Sequence, residues 1–220
     1  MFQPFHPRFS DNSSCVSVEW TVLGQLQNNV YCIDDGEGGV IVVDPSTLPD
    51  AIMEVAGERQ VSGIIITHRH FDHVGALAAL KERTGAAVYA SAIDAEDIEA
   101  GAPRSRFGVE PCVVDHKLED GDNFQIGKVS FDVMLTPGHT EGGICYLVSS
   151  GTQAGPAALF SGDTLFCNSM GRTDFDGGSE SDMRTSLRRL ATLDDSVIVF
   201  PGHNEITSIG DERTRVLESY

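Results

Sequence analysis

The sequence predicts an α+β fold: strands that open as hairpins, followed by strands that alternate with helices. Three observations carry this reading. Residues 16–23 alternate apolar and polar side chains, 28–33 continue as a strand, and a Gly-rich turn at 34–39 leads into the apolar run 40–43, the pattern of antiparallel hairpins. Between residues 61 and 101 short apolar runs instead alternate with helical spacing. Finally, apolar runs far apart in the chain end in histidine or aspartate.

Taken in order, residues 48–56 have the spacing of a short helix, and 61–67 read as a buried strand emptying into His68, His70, Asp72 and His73. Val74, Leu77 and Leu80 then share a helical face that Gly85 ends. Residues 88–90 read as a strand, and Ser91 with Asp94 three positions on has the form of a capping box for a helix ending at Gly101. Residues 101–123 are polar and contain Gly and Pro, with one strand-like patch at 112–114, and mark a boundary between two halves of one domain, 1–220. Beyond it, 129–135 alternates as a strand and breaks at Pro137-Gly138-His139. Residues 144–148 and 158–161 are the next strands, the second ending in Gly162-Asp163. Ser179 opens a helix with Met183, Leu187 and Leu190 on one face, 197–200 is a strand before Pro201-Gly202-His203, and the tail from Thr207 reads as a last helix.

Length and charge bound the function. A chain of 220 residues suits one well-buried domain. No apolar run reaches the length of a membrane span, and the start lacks a basic and then apolar leader, so a cytoplasmic location is expected. Thirty-three acidic against fifteen basic residues give a net charge of -18, which repels phosphate backbones and argues for a small-molecule substrate, with neither nucleic acid nor membrane as partner. Five cysteines form no CxxC pair, and most are expected to be reduced core residues. His6 and His116 lack ligand spacing and read as surface residues.

The chemistry concentrates at residues 68–73, where three of the seven histidines fall. His68 and His70, two apart in extended chain, point to the same side and can hold one cation, while Asp72 and His73 face a second position. Such a nitrogen and oxygen set suits zinc first, with manganese or iron as alternatives. Asp44, at the end of the neighbouring strand, either takes a ring N–H from a ligand histidine or caps the turn at 45–47.

The order His68-x-His70-x-Asp72-His73, then His139, Asp163 and His203, resembles the metallo-β-lactamase superfamily from Asn28 onwards. The stretches 160–166, Gly171-Arg172-Thr173-Asp174 and Phe200-Pro201-Gly202-His203 narrow the resemblance to glyoxalase II-like single-domain hydrolases. The resemblance implies an αββα sandwich of two mixed sheets flanked by helices. It also implies two zinc ions, with iron or manganese as alternatives in either position. One would be held by His68, His70 and His139, the other by Asp72, His73 and His203, and Asp163 would bridge them. The implied activity is thioester hydrolysis of the hydroxyacylglutathione hydrolase type. Asp163 stands where the commonest group of zinc β-lactamases has cysteine, so antibiotic hydrolysis is not expected. Glyoxalase II proper adds a helical C-terminal region with basic residues for glutathione, whereas here the chain runs only to Tyr220.

Two dications about 3.5 to 4 Å apart bring the pKa of a shared water to about 7, so that hydroxide is the nucleophile at neutral pH. Asp72, facing that water, is the candidate to orient it and to shuttle its proton. A thiolate leaves at a pKa of about 8.5 with little acid assistance, which favours thioesters over amides. Arg172 either meets an anionic substrate tail or pairs with Asp174 to pin its loop, and Cys167 either lines the pocket or is an inert buried thiol. The rival reading is a persulfide dioxygenase. Those enzymes share the histidine motif and a GRTDF-like loop but use one iron, bound as His68, His139 and Asp163 would bind it, and usually show alanine where Gly202 stands. A non-catalytic binding module is a third reading, set against a complete ligand set.

Overall fold

The computed structural model describes residues 8–104 and 106–219, so the expectation for His6 lies outside the described residues. The first sheet contains β1 (Arg8–Asp11), β2 (Val18–Leu23), β3 (Asn28–Asp34), β4 (Val40–Val43), β5 (Val61–Ile65), β6 (Val88–Ser91) and β7 (His116–Leu118), side by side in chain order. Pairing is antiparallel from β1 to β4, where turns join the strands. From β4 to β7 it is parallel, because α1 (Pro49–Ala56), α2 (Phe71–Val74), α3 (Leu77–Thr84) and α4 (Ala92–Glu99) carry the chain back between strands.

The second half adds β8 (Asn123–Ile126), β9 (Val129–Leu135), β10 (Ile144–Ser150), β11 (Ala158–Gly162), the short ribbon β12 (Leu165–Phe166) and β13 (Ser169–Met170), α5 (Glu180–Leu190), β14 (Ile198–Pro201) and β15 (Thr207–Ser208). The second sheet has the order β15-β14-β11-β10-β9-β8 and is also mixed, since the connection through α5 makes β11 and β14 parallel. Period-two alternation then stacks the layers. In β3, Tyr31 and Ile33 face Phe131, Tyr146, Phe160 and Phe200 of the other sheet, while Val30 and Cys32 face away, beneath Ile52, Leu77 and Leu80 of the helices. On the far side, Cys145, Leu159 and Val199 lie beneath Met183, Leu187 and Leu190 of α5 and Val216 and Leu217 of the tail. The expected αββα sandwich is the fold.

Two expectations need correction. Residues 112–114 are not a strand: Asp115 N–H donates to the Val88 carbonyl and the Asp115 carboxylate accepts from the Val88 N–H, so pairing with β6 begins only at His116. Cys112 and Val114 instead bury against the helices, and the first sheet reaches into the expected boundary region. The tail is not wholly helical: Thr207 and Ser208 add an edge strand to β14 before α6 (Ile209–Glu212) and a π-helical turn, Arg213–Leu217. Among the described residues no helix is long and apolar enough to cross a membrane.

Candidate metal centre

Strand ends from both sheets are sutured together at one edge of the sandwich. Ile144 N–H donates to Thr67 O (2.9 Å), Gly202 N–H to Gly162 O (2.9 Å), Asn29 N–H to Gly202 O (2.8 Å), and Tyr31 Oη to Pro201 O (2.6 Å). The strand carrying the histidines stops at Ile65 rather than Thr67, because Thr67 turns its N–H and hydroxyl to the Asp44 carboxylate (2.8 and 2.6 Å). The chain then leaves the sheet with His68, His70, Asp72 and His73 in sequence, the last two on the single turn of α2.

Two trios of donors result: His68, His70 and His139, and Asp72, His73 and His203, each with donor atoms within 4.8 Å of one another. His70 Nδ1 and His139 Nε2 lie 2.8 Å apart. Asp163 spans the trios, with Oδ2 3.3 Å from His139 Nε2 and Oδ1 3.3 Å from His73 Nε2; Oδ2 is also 3.5 Å from His203 Nε2. His68 Nε2 and Asp163 Oδ1 are buried without a hydrogen bond of good geometry. Buried acceptors left in that state are costly unless something else satisfies them, and a cation among these donors does so.

Contacts outside the trios aim the rings. His73 Nδ1 donates to Asp44 Oδ2 (2.9 Å), His139 Nδ1 to Arg172 O (2.6 Å) and His203 Nδ1 to Leu26 O (3.0 Å), which turns the Nε2 atom of each toward the centre. Asp44 holds this position in the left-handed region, φ 50°, a conformation most residues avoid. Gly202 is required by close approach: a Cβ there would lie 2.4 Å from Asp163 Oδ1 and 2.7 Å from His73 Cε1. At Gly162, φ 49° and a Cβ that would meet Thr67 Oγ1 at 2.4 Å make the same demand.

The electrostatics separate the trios. Burial, then repulsion from neighbouring imidazoles, lowers His68 well below its ordinary value and takes His70 down to about 3, so both are neutral and offer lone pairs. Burial also works against a charged His73, but Asp163, Asp72 and Asp44 outweigh it and push the group well up. His203 is likewise opposed by burial and raised to about 9 by Asp163 and Asp72. Those two carboxylates, which burial alone would raise, are held well below the usual range, first by His73. The neutral rings of His68 and His70 on one side and carboxylates sharing charge with imidazoles on the other make a donor set that fits divalent cations.

Not every sequence candidate joins this set. The Arg172 guanidinium pairs with Asp174 (2.9 and 2.6 Å), and only its carbonyl reaches the centre, through His139. Cys167 sits in the turn of the β12–β13 ribbon, its Sγ accepting from Asn168 Nδ2 (3.2 Å), and His116 is exposed and stacked on Tyr89. Asn28 was not singled out by the sequence, yet its buried Nδ2 donates to Asp72 Oδ2 (3.0 Å) and lies 3.3 and 3.4 Å from His73 Nε2 and His203 Nε2. The available signal was a polar pair, Asn28-Asn29, opening an otherwise apolar strand.

A family model described as metallo-beta-lactamase superfamily matches residues 23–203. Hydroxyacylglutathione hydrolase GloC of Haemophilus influenzae is 28% identical over 207 residues, 90% of this chain and 95% of its own length. Among solved structures, BLEG-1 B3 metallo-beta-lactamase is 30% identical, with a TM-score of 0.79 covering 90% of this chain and 96% of that one. A protein crystallised in a di-iron-bound form is 32% identical, with a TM-score of 0.75 over 88% of this chain and 96% of its own.

Proposed function

We infer the function from one premise: the chain belongs to the metallo-beta-lactamase superfamily. Within that superfamily of metal-dependent hydrolases it is a dinuclear enzyme that cleaves thioesters, with zinc as the preferred metal and iron or manganese as alternatives. The observation that carries this reading is Asp163, whose two oxygens each approach a member of a different trio. His68, His70 and His139 would hold one cation, Asp72, His73 and His203 the other, with Asp163 shared. When bound, the cations supply a water molecule activated near neutral pH and a Lewis acid for the acyl oxygen.

The chain's own residues do the remainder. Asp44, Arg172 O and Leu26 O fix which ring nitrogen of His73, His139 and His203 faces inward. Asn28 anchors Asp72 through Oδ2, and the Asp72 carboxylate takes the proton of the attacking water and returns it to the departing thiolate. A thiolate needs little such help, which is why the reading favours thioesters over amides.

Asp72→Ala tests the two-metal hydrolase against the one-iron dioxygenase. Thioester cleavage is expected to fall about 100- to 1,000-fold. A dioxygenase would retain most of its oxygen uptake with glutathione persulfide, and near-normal thioesterase turnover in the variant overturns the mechanism. Gly202 supplies a second prediction, since an added methyl group would displace Asp163 or His73. Gly202→Ala is expected to lower the metal content from two per chain toward one, measured by elemental analysis on purified protein. Two retained ions would refute the crowding argument.

A further inference from the structure

The thioester reading leaves the acyl group unspecified, and the rim of the metal centre bears on it. Phe107 and Phe175 are two of the few large apolar side chains left exposed, at 55% and 43%. Single exposed apolar residues scattered over a surface need no explanation, but these two are not scattered. The Phe175 ring stands edge-on to His70 and His139, with centroids 5.6 and 6.0 Å away. Phe107 stands edge-on to Phe71 at 5.0 Å, and Phe71 directly follows His70 in the chain. Each exposed ring is braced by a guanidinium, Arg172 Cζ 4.4 Å from the centroid of Phe175 and Arg106 Cζ 5.3 Å from that of Phe107. Phe175 therefore stands directly against His70 and His139, and the Phe71–Phe107 pair begins at the residue that follows His70.

Resting on the thioesterase reading, we propose that Phe71, Phe107 and Phe175 form an acyl subsite that selects thioesters of apolar acyl groups. Common carrier thiols are polar and charged, so the apolar part such a subsite can recognise is the acyl chain. In the reaction water adds to the acyl carbon and the C–S bond breaks; one proton of the water passes to the thiolate, giving the thiol, and the other is released to solvent as the acid ionises to a carboxylate. The charges nearby argue against glutathione as the favoured carrier. Arg172 is already paired with Asp174, and Arg104 with Glu141 and Asp97. Among the described residues, Arg106 is the flanking arginine without a carboxylate partner, and it faces a carrier with two carboxylates of its own.

The test uses the purified metal-loaded enzyme with acetyl-, butanoyl- and hexanoyl-N-acetylcysteamine and with S-lactoylglutathione. A parallel binding arm uses ketone analogues of the acetyl and hexanoyl compounds, in which a methylene replaces sulfur, measured by calorimetry. In the wild type kcat/KM is expected to rise about tenfold or more from acetyl to hexanoyl, with the hexanoyl ketone binding more tightly by a similar factor. Phe107→Ala and Phe175→Ala are each expected to reduce that ratio below about threefold through KM, with Phe107→Leu keeping most of it. A flat acyl series, or faster cleavage of S-lactoylglutathione than of the hexanoyl compound, overturns the subsite and leaves the hydrolase standing. If no thioester is cleaved but the ketones keep their chain-length preference and the alanine variants lose it, the hydrolase reading falls and the subsite stands. If neither arm responds to chain length, the subsite is refuted.

Discussion

Asp163→Ala is expected to lower thioester turnover by roughly 10⁴-fold, equivalent to about 5.5 kcal/mol of transition-state stabilisation at ~1.36 kcal/mol per decade. The size follows from its position. Among the described residues no other carboxylate is seen to approach both His139 and His73, so its removal takes away the one donor that the two trios share. It also leaves His73 and His203 without the partner that most strongly favours their charge. Metal content is expected to fall below one ion per chain by elemental analysis. The fold is expected to survive, because Asp163 belongs to none of the three apolar clusters. A variant that keeps two ions and activity within tenfold of the wild type would show that the trios do not share this residue.

The largest stability effect is expected at Arg69, which lies between the two motif histidines and is fully buried. Its Nη1 donates to Asp94 Oδ1 (2.8 Å), its Nε lies 3.4 Å from Asp97 Oδ2, and its Nη2 donates to Asp176 O (2.7 Å). Asp94 Oδ2 in turn accepts from Arg69 N–H (3.0 Å) and from Thr140 Oγ1 (2.9 Å), next to His139. One guanidinium thus joins α4, the His139 turn and the loop that carries Arg172. Arg69→Met would leave the buried Asp94 carboxylate without a cationic partner and Asp97 with Arg104 alone, and breaking a buried pair from one side costs about 3–5 kcal/mol. For a chain of this length that corresponds to a Tm lower by about 10 °C in calorimetry. Arg69→Lys is expected to recover only part of the loss, because an ammonium cannot reach Asp94 and Asp176 O with one planar fork. A drop of less than about 3 °C for Arg69→Met would mean that the carboxylates find other partners or water.

Local signals and long-range geometry divide the molecule clearly. The Ser91 cap could be read from sequence because it is a contact across three residues: Asp94 N–H donates to Ser91 Oγ (3.0 Å). The reciprocal half of the box is missing, since the Asp94 side chain goes to Arg69, twenty-five positions away. The strand 129–135 was legible because one face of it is buried, whereas β15 was not, because two residues added to a sheet edge have no period to detect.

By itself the sequence determined the α+β class, the alternation that stacks two sheets between helices, and the identities of the metal-binding candidates, because side-chain period and residue type are local properties of the chain. Only the tertiary structure decided that Asn28 touches Asp72 and that the carbonyls of Leu26 and Arg172 aim two of the histidines. A carbonyl is the same group at every residue, and its use depends on which strand ends the sheets bring together; no spacing within the chain encodes that.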